Sequence, residues 1–198
     1  LMIIAGAGTG KTFTLENRIV YMIQKNEVEP KNILTITYTE KAANELKSRL
    51  INKVGQKANP MFVGTFHSFC YKLMKDYQIN NADSSSLIDQ SEAVHMILEN
   101  YDEFMPFMSE EFSINPRRSV VESFIPFFYR IRDELVDIDK VDQCIIKEFY
   151  SDDSESYNQL NDLLRIFPIY QKLKKENNLI DYNDMILDTF HSLKNDTN

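Results

Sequence analysis

The chain has 198 residues, 43% hydrophobic and 26% charged, enough for one ordinary cored domain or for one domain carrying a large insertion. No apolar run approaches the ~20 residues that span a bilayer, and the first apolar stretch runs straight into a glycine loop, so neither a membrane partner nor a secretory leader is expected. The net charge of -8 argues against a nucleic-acid partner until its distribution is read: residues 1–77 carry 11 Lys and Arg against 6 Asp and Glu, whereas the remainder carries 11 against 24.

A mildly basic segment is thus joined to a strongly acidic one, and phosphate binding belongs to the first. The acidic half reads as solvated helical faces. Two unclustered cysteines, Cys70 and Cys144, point away from a disulfide framework or a zinc site and towards a reducing, cytoplasmic compartment. The chain opens at Leu1 inside what reads as a core strand, Leu1 to Ile4, so both ends are expected to be cuts in a longer protein.

Residues 5–12, Ala5-Gly6-Ala7-Gly8-Thr9-Gly10-Lys11-Thr12, follow that strand and lead into an amphipathic helix. Strand, glycines and helix in this order form the context of a phosphate loop. Glycines allow successive backbone N–H groups to converge on one anion, and the next helix adds its free amides and positive dipole end. Lys11 is expected to reach the β- and γ-phosphates of ATP, and the Thr12 hydroxyl to ligate Mg²⁺. The general pattern begins with glycine where this chain has Ala5.

The helix runs from Thr12 to about Lys25, with Leu15, Ile19 and Met22/Ile23 on one stripe. A β-branched run, Asn32–Thr37, predicts a second strand. Ala42, Ala43, Leu46, Leu50 and Val54 predict a helix over Glu40 to about Val54. Met61–Gly64 predicts a third strand and Phe66–Tyr77 a third helix. This alternation implies an α/β fold with a parallel sheet.

After Tyr77 the pattern changes. A polar turn at Asn80–Ser86 leads into segments that read as helices: Ser91–Tyr101, then about Arg118–Leu135, Lys140–Tyr150, Tyr157–Asn177 and Tyr182–Leu193. Pro126 and Pro168 predict kinks or breaks within two of them. Ser151–Ser156 reads as an acidic loop.

The phosphate loop AGAGTGKT resembles that of the UvrD, Rep and PcrA helicases of superfamily one, where alanine commonly stands first. Thr37-Tyr38-Thr39-Glu40-Lys41-Ala42-Ala43-Asn44-Glu45-Leu46 resembles the family's TFTNKAAxEM segment, and Val63-Gly64-Thr65-Phe66-His67-Ser68-Phe69 its VGTFHS segment. Leu179-Ile180-Asp181-Tyr182-Asn183-Asp184-Met185-Ile186 is similar to its VDFDDLL segment. The resemblance implies a RecA-like P-loop fold, incomplete here and carrying an inserted all-helical subdomain. It divides the chain into a first motor piece (1–77), the insertion (78–177) and a return to the motor domain (178–198).

It further implies that Thr37, Tyr38, Thr39, Thr65 and His67 touch DNA. Threonine hydroxyls and helix-start amides suit a phosphate, and the Tyr38 ring suits a stacked base. Residue chemistry alone also allows Thr39 to be a helix cap and Tyr38 a core ring. Phe66 and Phe69 read as core residues. Glu40 stands where the family usually has asparagine, which sets a carboxylate beside DNA. Lys41, Lys47 and Arg49 suit either phosphates or solvent.

The implied activity is ATP-dependent, 3′-to-5′ translocation on single-stranded DNA, with unwinding at single-strand/duplex junctions and a second motor domain as partner. Hydrolysis also needs an acid pair of the DExQ type, and no such sequence occurs here in a strand–turn context. Asp152/Asp153 lie in a polar loop and Asp181/Asp184 at a helix start. The isolated chain is therefore expected to bind nucleotide weakly and not to turn it over. The alternatives are a helicase subunit of the RecB/AddA helicase-nuclease type, a P-loop nucleotide switch without motor activity, and a small-molecule kinase. The last would leave the segments at Thr37 and Thr65 without a role.

Overall fold

The computed structural model describes residues 2, 4, 6, 8–113, 115–141 and 143–195. It divides into two compact units, Leu1–Leu73 and Met74–Asn198.

The first unit contains α1 (Lys11–Gln24), β1 (Leu34–Thr37), α2 (Glu40–Val54), β2 (Phe62–Thr65) and most of α3 (Phe66–Asp76). Strands β1 and β2 pair in parallel, from Leu34 opposite Phe62 to Thr37 opposite Thr65. Parallel neighbours need a crossover, and α2 with the 3-10 turn Gly55–Ala58 supplies it. Helix α2 starts directly after Thr39, which is still extended and whose Oγ1 accepts the Ala42 N–H at 3.2 Å. It stops at Gly55, whose φ of 67° a side chain would resist.

Leu46 and Leu50 of α2 pack with Ile19 and Ile23 of α1 and with Ile33, Ala58 and Met61. Each such leucine contributes on the order of 1.5–3 kcal/mol of burial free energy. The Lys47 ammonium donates to the carbonyls of Ala58, Asn59 and Met61 at 3.2, 3.1 and 2.8 Å. Its partial burial holds its pKa below the usual lysine value. Lys47 is thus a clip for the turn before β2. Glu16 of α1 is buried, with Lys53 at 2.7 Å and Arg49 at 3.9 Å, so two α2 cations tie the helices together.

The second unit contains β3 (Ser86–Ile88), α4 (Gln90–Glu99), α5 (Tyr101–Phe104), α6 (Glu110–Ser113), α7 (Arg117–Asp133), α8 (Gln143–Phe149), α9 (Ser154–Glu176), β4 (Leu179–Asp181) and α10 (Tyr182–Asn195). Its core is aromatic: Phe124 and Phe128 of α7 meet Phe167 and Tyr170 of α9, and the Phe128 ring stacks on Tyr170 at 4.9 Å between centroids. Asp89 and Glu92 form a reciprocal capping box at the start of α4, with bonds of 2.9 and 2.8 Å.

Several expectations need correction. Met2 and Ile4 carry no strand and are 83% and 85% exposed, while Leu1 and Ile3 lie outside the described residues. A strand exists only through hydrogen-bonded neighbours, and β1 and β2 pair with each other among the described residues. The helical half contains two strands, β3 and β4, which pair in parallel with Ser86 opposite Leu179. Three residues are too few to display alternation.

Helices α7 and α9 continue through Pro126 and Pro168. Both prolines are exposed, and the apolar stripe on the other side outweighs one missing backbone hydrogen bond. The acidic loop ends sooner than expected, because the Asp153 carboxylate accepts the Ser156 N–H at 3.0 Å and starts α9 at Ser154. Residues 179–195 carry β4 and α10, and β4 is joined to β3 of the second unit.

Candidate functional site

The loop before α1 is built on left-handed glycines. Gly8 has φ 75° and Gly10, the N-cap of α1, has φ 89°. A Cβ on Gly8 would meet nothing within 4 Å among the described residues. Among the described residues no side chain caps α1, and its first turn holds no acid, whereas Thr39, Asp89 and Asp153 cap α2, α4 and α9. The start of α1 thus presents the positive end of its helix dipole with no acidic side chain of its first turn to offset it.

The loop closes on the Gly6 carbonyl, which accepts from Lys11 Nζ at 2.8 Å and from Thr9 Oγ1 at 2.7 Å. Lys11 and Thr12 are both exposed in the first turn of α1. A backbone carbonyl is a weaker partner for the Lys11 ammonium than an anion would be. These features fit a phosphate group, and the exposed Thr12 hydroxyl suits a hard cation such as Mg²⁺. Ala5 and Ala7 lie outside the described residues.

A second group of expected residues gathers at the carboxyl ends of β1 and β2. In parallel sheets this is the edge where ligands bind. Thr37 stands opposite Thr65. Thr37 Oγ1 donates to the Thr39 carbonyl at 2.9 Å, and Thr39 caps α2. Tyr38 is 99% exposed, so its ring is not part of the core. Thr65 Oγ1 donates to Glu40 Oε1 at 2.7 Å, which joins the two segments directly. His67 is half-buried in the first turn of α3.

Phe66 is 48% exposed, against the expectation of a core ring, because it starts α3 at the strand's open end. Phe69 is half-buried and meets Phe62 edge to face at 5.3 Å. Of the three uncertain cations, Lys47 clips the turn, Arg49 pairs with Glu45 and Glu16, and Lys41 is exposed.

Two residues here escaped sequence reasoning. Ser68 Oγ accepts the Thr65 N–H at 2.8 Å, while the Ser68 N–H donates to Thr65 Oγ1 at 3.2 Å. The signal was present, since threonine and serine three residues apart at a helix start can cap reciprocally. Gly64 is required by space: a Cβ there would come within 2.6 Å of Ser68 Oγ and 2.8 Å of the Phe62 ring.

Asp181 and Asp184, set aside as catalytic acids from the sequence, form a buried network of another kind. Lys174 Nζ bonds both carboxylates, Tyr170 donates its hydroxyl to Asp181 at 2.9 Å, and an Arg132 guanidinium nitrogen lies 2.8 Å from Asp184. Each aspartate also accepts the other's backbone N–H, at 2.8 and 2.9 Å. Burial pushes both carboxyls up. The Lys174 ammonium nevertheless holds Asp181 below the usual range. Asp184 stays above it, raised by burial and then by the Asp181 charge, against Lys174 and Arg132. Burial, then the Asp181 charge, also drives the Tyr170 hydroxyl well above its usual value. The network joins α7, α9, β4 and α10.

A family model described as "UvrD/REP helicase N-terminal domain" matches residues 1–198. The chain belongs to this family. It is 29% identical over 197 residues to a probable DNA helicase II homolog of Mycoplasma genitalium, covering 98% of the chain and 26% of that protein. It is 29% identical over 193 residues to the ATP-dependent DNA helicase PcrA of Staphylococcus epidermidis, covering 96% and 24%. It is 31% identical over 204 residues to the ATP-dependent DNA helicase SRS2 of Saccharomyces cerevisiae, covering 98% and 17%. The chain thus spans about a quarter or less of these curated relatives. Among the described residues of this UvrD/REP helicase N-terminal domain, no helix is long and apolar enough to cross a membrane.

Proposed function

We propose that the full-length protein is an ATP-dependent DNA helicase that translocates on single-stranded DNA, 3′ to 5′, and opens duplex at single-strand junctions. The observation that carries this reading is the uncapped start of α1, with Gly8 and Gly10 in the left-handed region and Lys11 beside them. Residues 5–12 are the ATP-binding loop. Lys11 would exchange the Gly6 carbonyl for the terminal phosphates of ATP, and the Thr12 hydroxyl would hold Mg²⁺. ATP supplies the driving free energy when bound. This chain's own contribution is to cradle its phosphates and fix their position.

Thr37, Tyr38, Thr39, Thr65 and His67 form the strand-binding edge, supported by their gathering at the ends of β1 and β2. Residues 1–77 act as part of the first motor domain, 78–177 as its helical insertion and 178–198 as the return towards it, with a second motor domain as partner. The chain by itself binds nucleotide weakly and does not hydrolyse it, because no DExQ sequence occurs in it. The unclustered cysteines suit a cytoplasmic setting.

The test is Lys11→Ala in the full-length protein, read by binding of a fluorescent ATP analogue. Analogue binding is expected to be lost, with an unchanged unfolding transition. Equal binding by both proteins overturns the phosphate-loop assignment.

A further inference from the structure

Glu40 and Thr65 come from segments 25 positions apart in the chain, yet their side chains meet at 2.7 Å. Glu40 is the first residue of α2 and Thr65 the last of β2, so the contact sits on the rim formed by the two strand ends. Tyr38, fully exposed, lies on the same rim.

A threonine hydroxyl has one proton to donate. The Thr37 proton goes to a neutral carbonyl, that of Thr39. The Thr65 hydroxyl instead faces a carboxylate, with the Ser68 hydroxyl, 3.1 Å away, as the weaker neutral acceptor. A phosphate arriving at Thr65 has to displace Glu40 from that proton. It also meets a like charge within hydrogen-bond reach of the same hydroxyl. The exposed Lys41 beside Glu40 offsets that charge only in part.

We infer that Glu40 sets the affinity of this rim for single-stranded DNA, by holding the Thr65 hydroxyl proton and placing a negative charge where a backbone phosphate docks. The inference rests on the proposed strand-binding edge. A motor that steps along a strand has to release each phosphate as well as hold it. A competing carboxylate at the contact keeps each hold shallow.

The experiment measures fluorescence anisotropy of a labelled oligothymidylate with the full-length protein, without nucleotide, across a salt series. The proteins are wild type, Glu40→Gln, Glu40→Ala and Tyr38→Ala, each checked for an unchanged unfolding transition. Glu40→Gln keeps an acceptor for Thr65 and removes only the charge. Both Glu40 variants are expected to bind about three- to tenfold tighter at low salt. Their curves should converge on wild type as salt rises, because exposed charges are then screened. If Tyr38→Ala weakens binding while Glu40→Gln leaves it unchanged, the rim is correct and the inference is wrong. Weaker binding by Glu40→Ala makes Glu40 a positioning residue and also overturns it. If neither Tyr38→Ala nor Glu40→Gln changes affinity, the strand-binding edge itself fails.

Discussion

Thr37 and Thr65 face each other in the last rung of the parallel ladder between β1 and β2. Each threonine ends a strand and is followed at once by a helix start, α2 after Thr37–Thr39 and α3 after Thr65. Threonine hydroxyls from two segments are thereby brought to one edge of the sheet, where they can be offered to a phosphate.

Tyr38 provides the most direct probe of that edge. Its exposed ring packs against no core, so Tyr38→Ala should leave unfolding unchanged. In the full-length protein the variant should weaken single-strand affinity by about tenfold or more, through loss of base stacking, with ATP-analogue affinity little altered. Titrations of both ligands check this. A larger loss for the nucleotide removes Tyr38 from the DNA path.

Gly64 tests whether the edge is held by packing. Gly64→Ala drives a methyl group against Ser68 Oγ and the Phe62 ring, two side chains fixed by other contacts. Overpacking of this sort costs about 1–3 kcal/mol. Urea denaturation should report that loss, and DNA affinity should fall with it because Ser68 positions Thr65. A neutral variant would mean that the β2–α3 corner yields easily.

Asp181 tests the buried network. Asp181→Asn leaves Tyr170 and Lys174 with a neutral partner and disrupts a paired, buried lysine. Lys174 keeps Asp184 as a charged partner, so the cost is about 1.5–3 kcal/mol, that of one charged hydrogen bond, rather than that of stranding a buried charge. Thermal or urea unfolding should show it. ATP-analogue affinity per folded molecule should not change, because the network serves the corner of α9, β4 and α10. A selective loss of nucleotide affinity with full stability would return Asp181 to the list of catalytic candidates.

Features that depend on near neighbours in the chain were readable from the residues alone. The glycine loop and the start of α1 follow from residues within one turn of each other. Helix α2 was legible to the residue, since Thr39, Glu40 and the Leu46/Leu50 spacing all act locally. Which distant groups meet became visible only in the folded chain. The pairing of β3 with β4, the Glu40–Thr65 contact, the clip at Lys47 and the Lys174–Asp181–Asp184 network each join side chains or strands with no short-range signature. The physical reason is that period and capping are set by backbone geometry over a few residues, whereas a hydrogen bond between remote groups exists only after packing has brought them within reach.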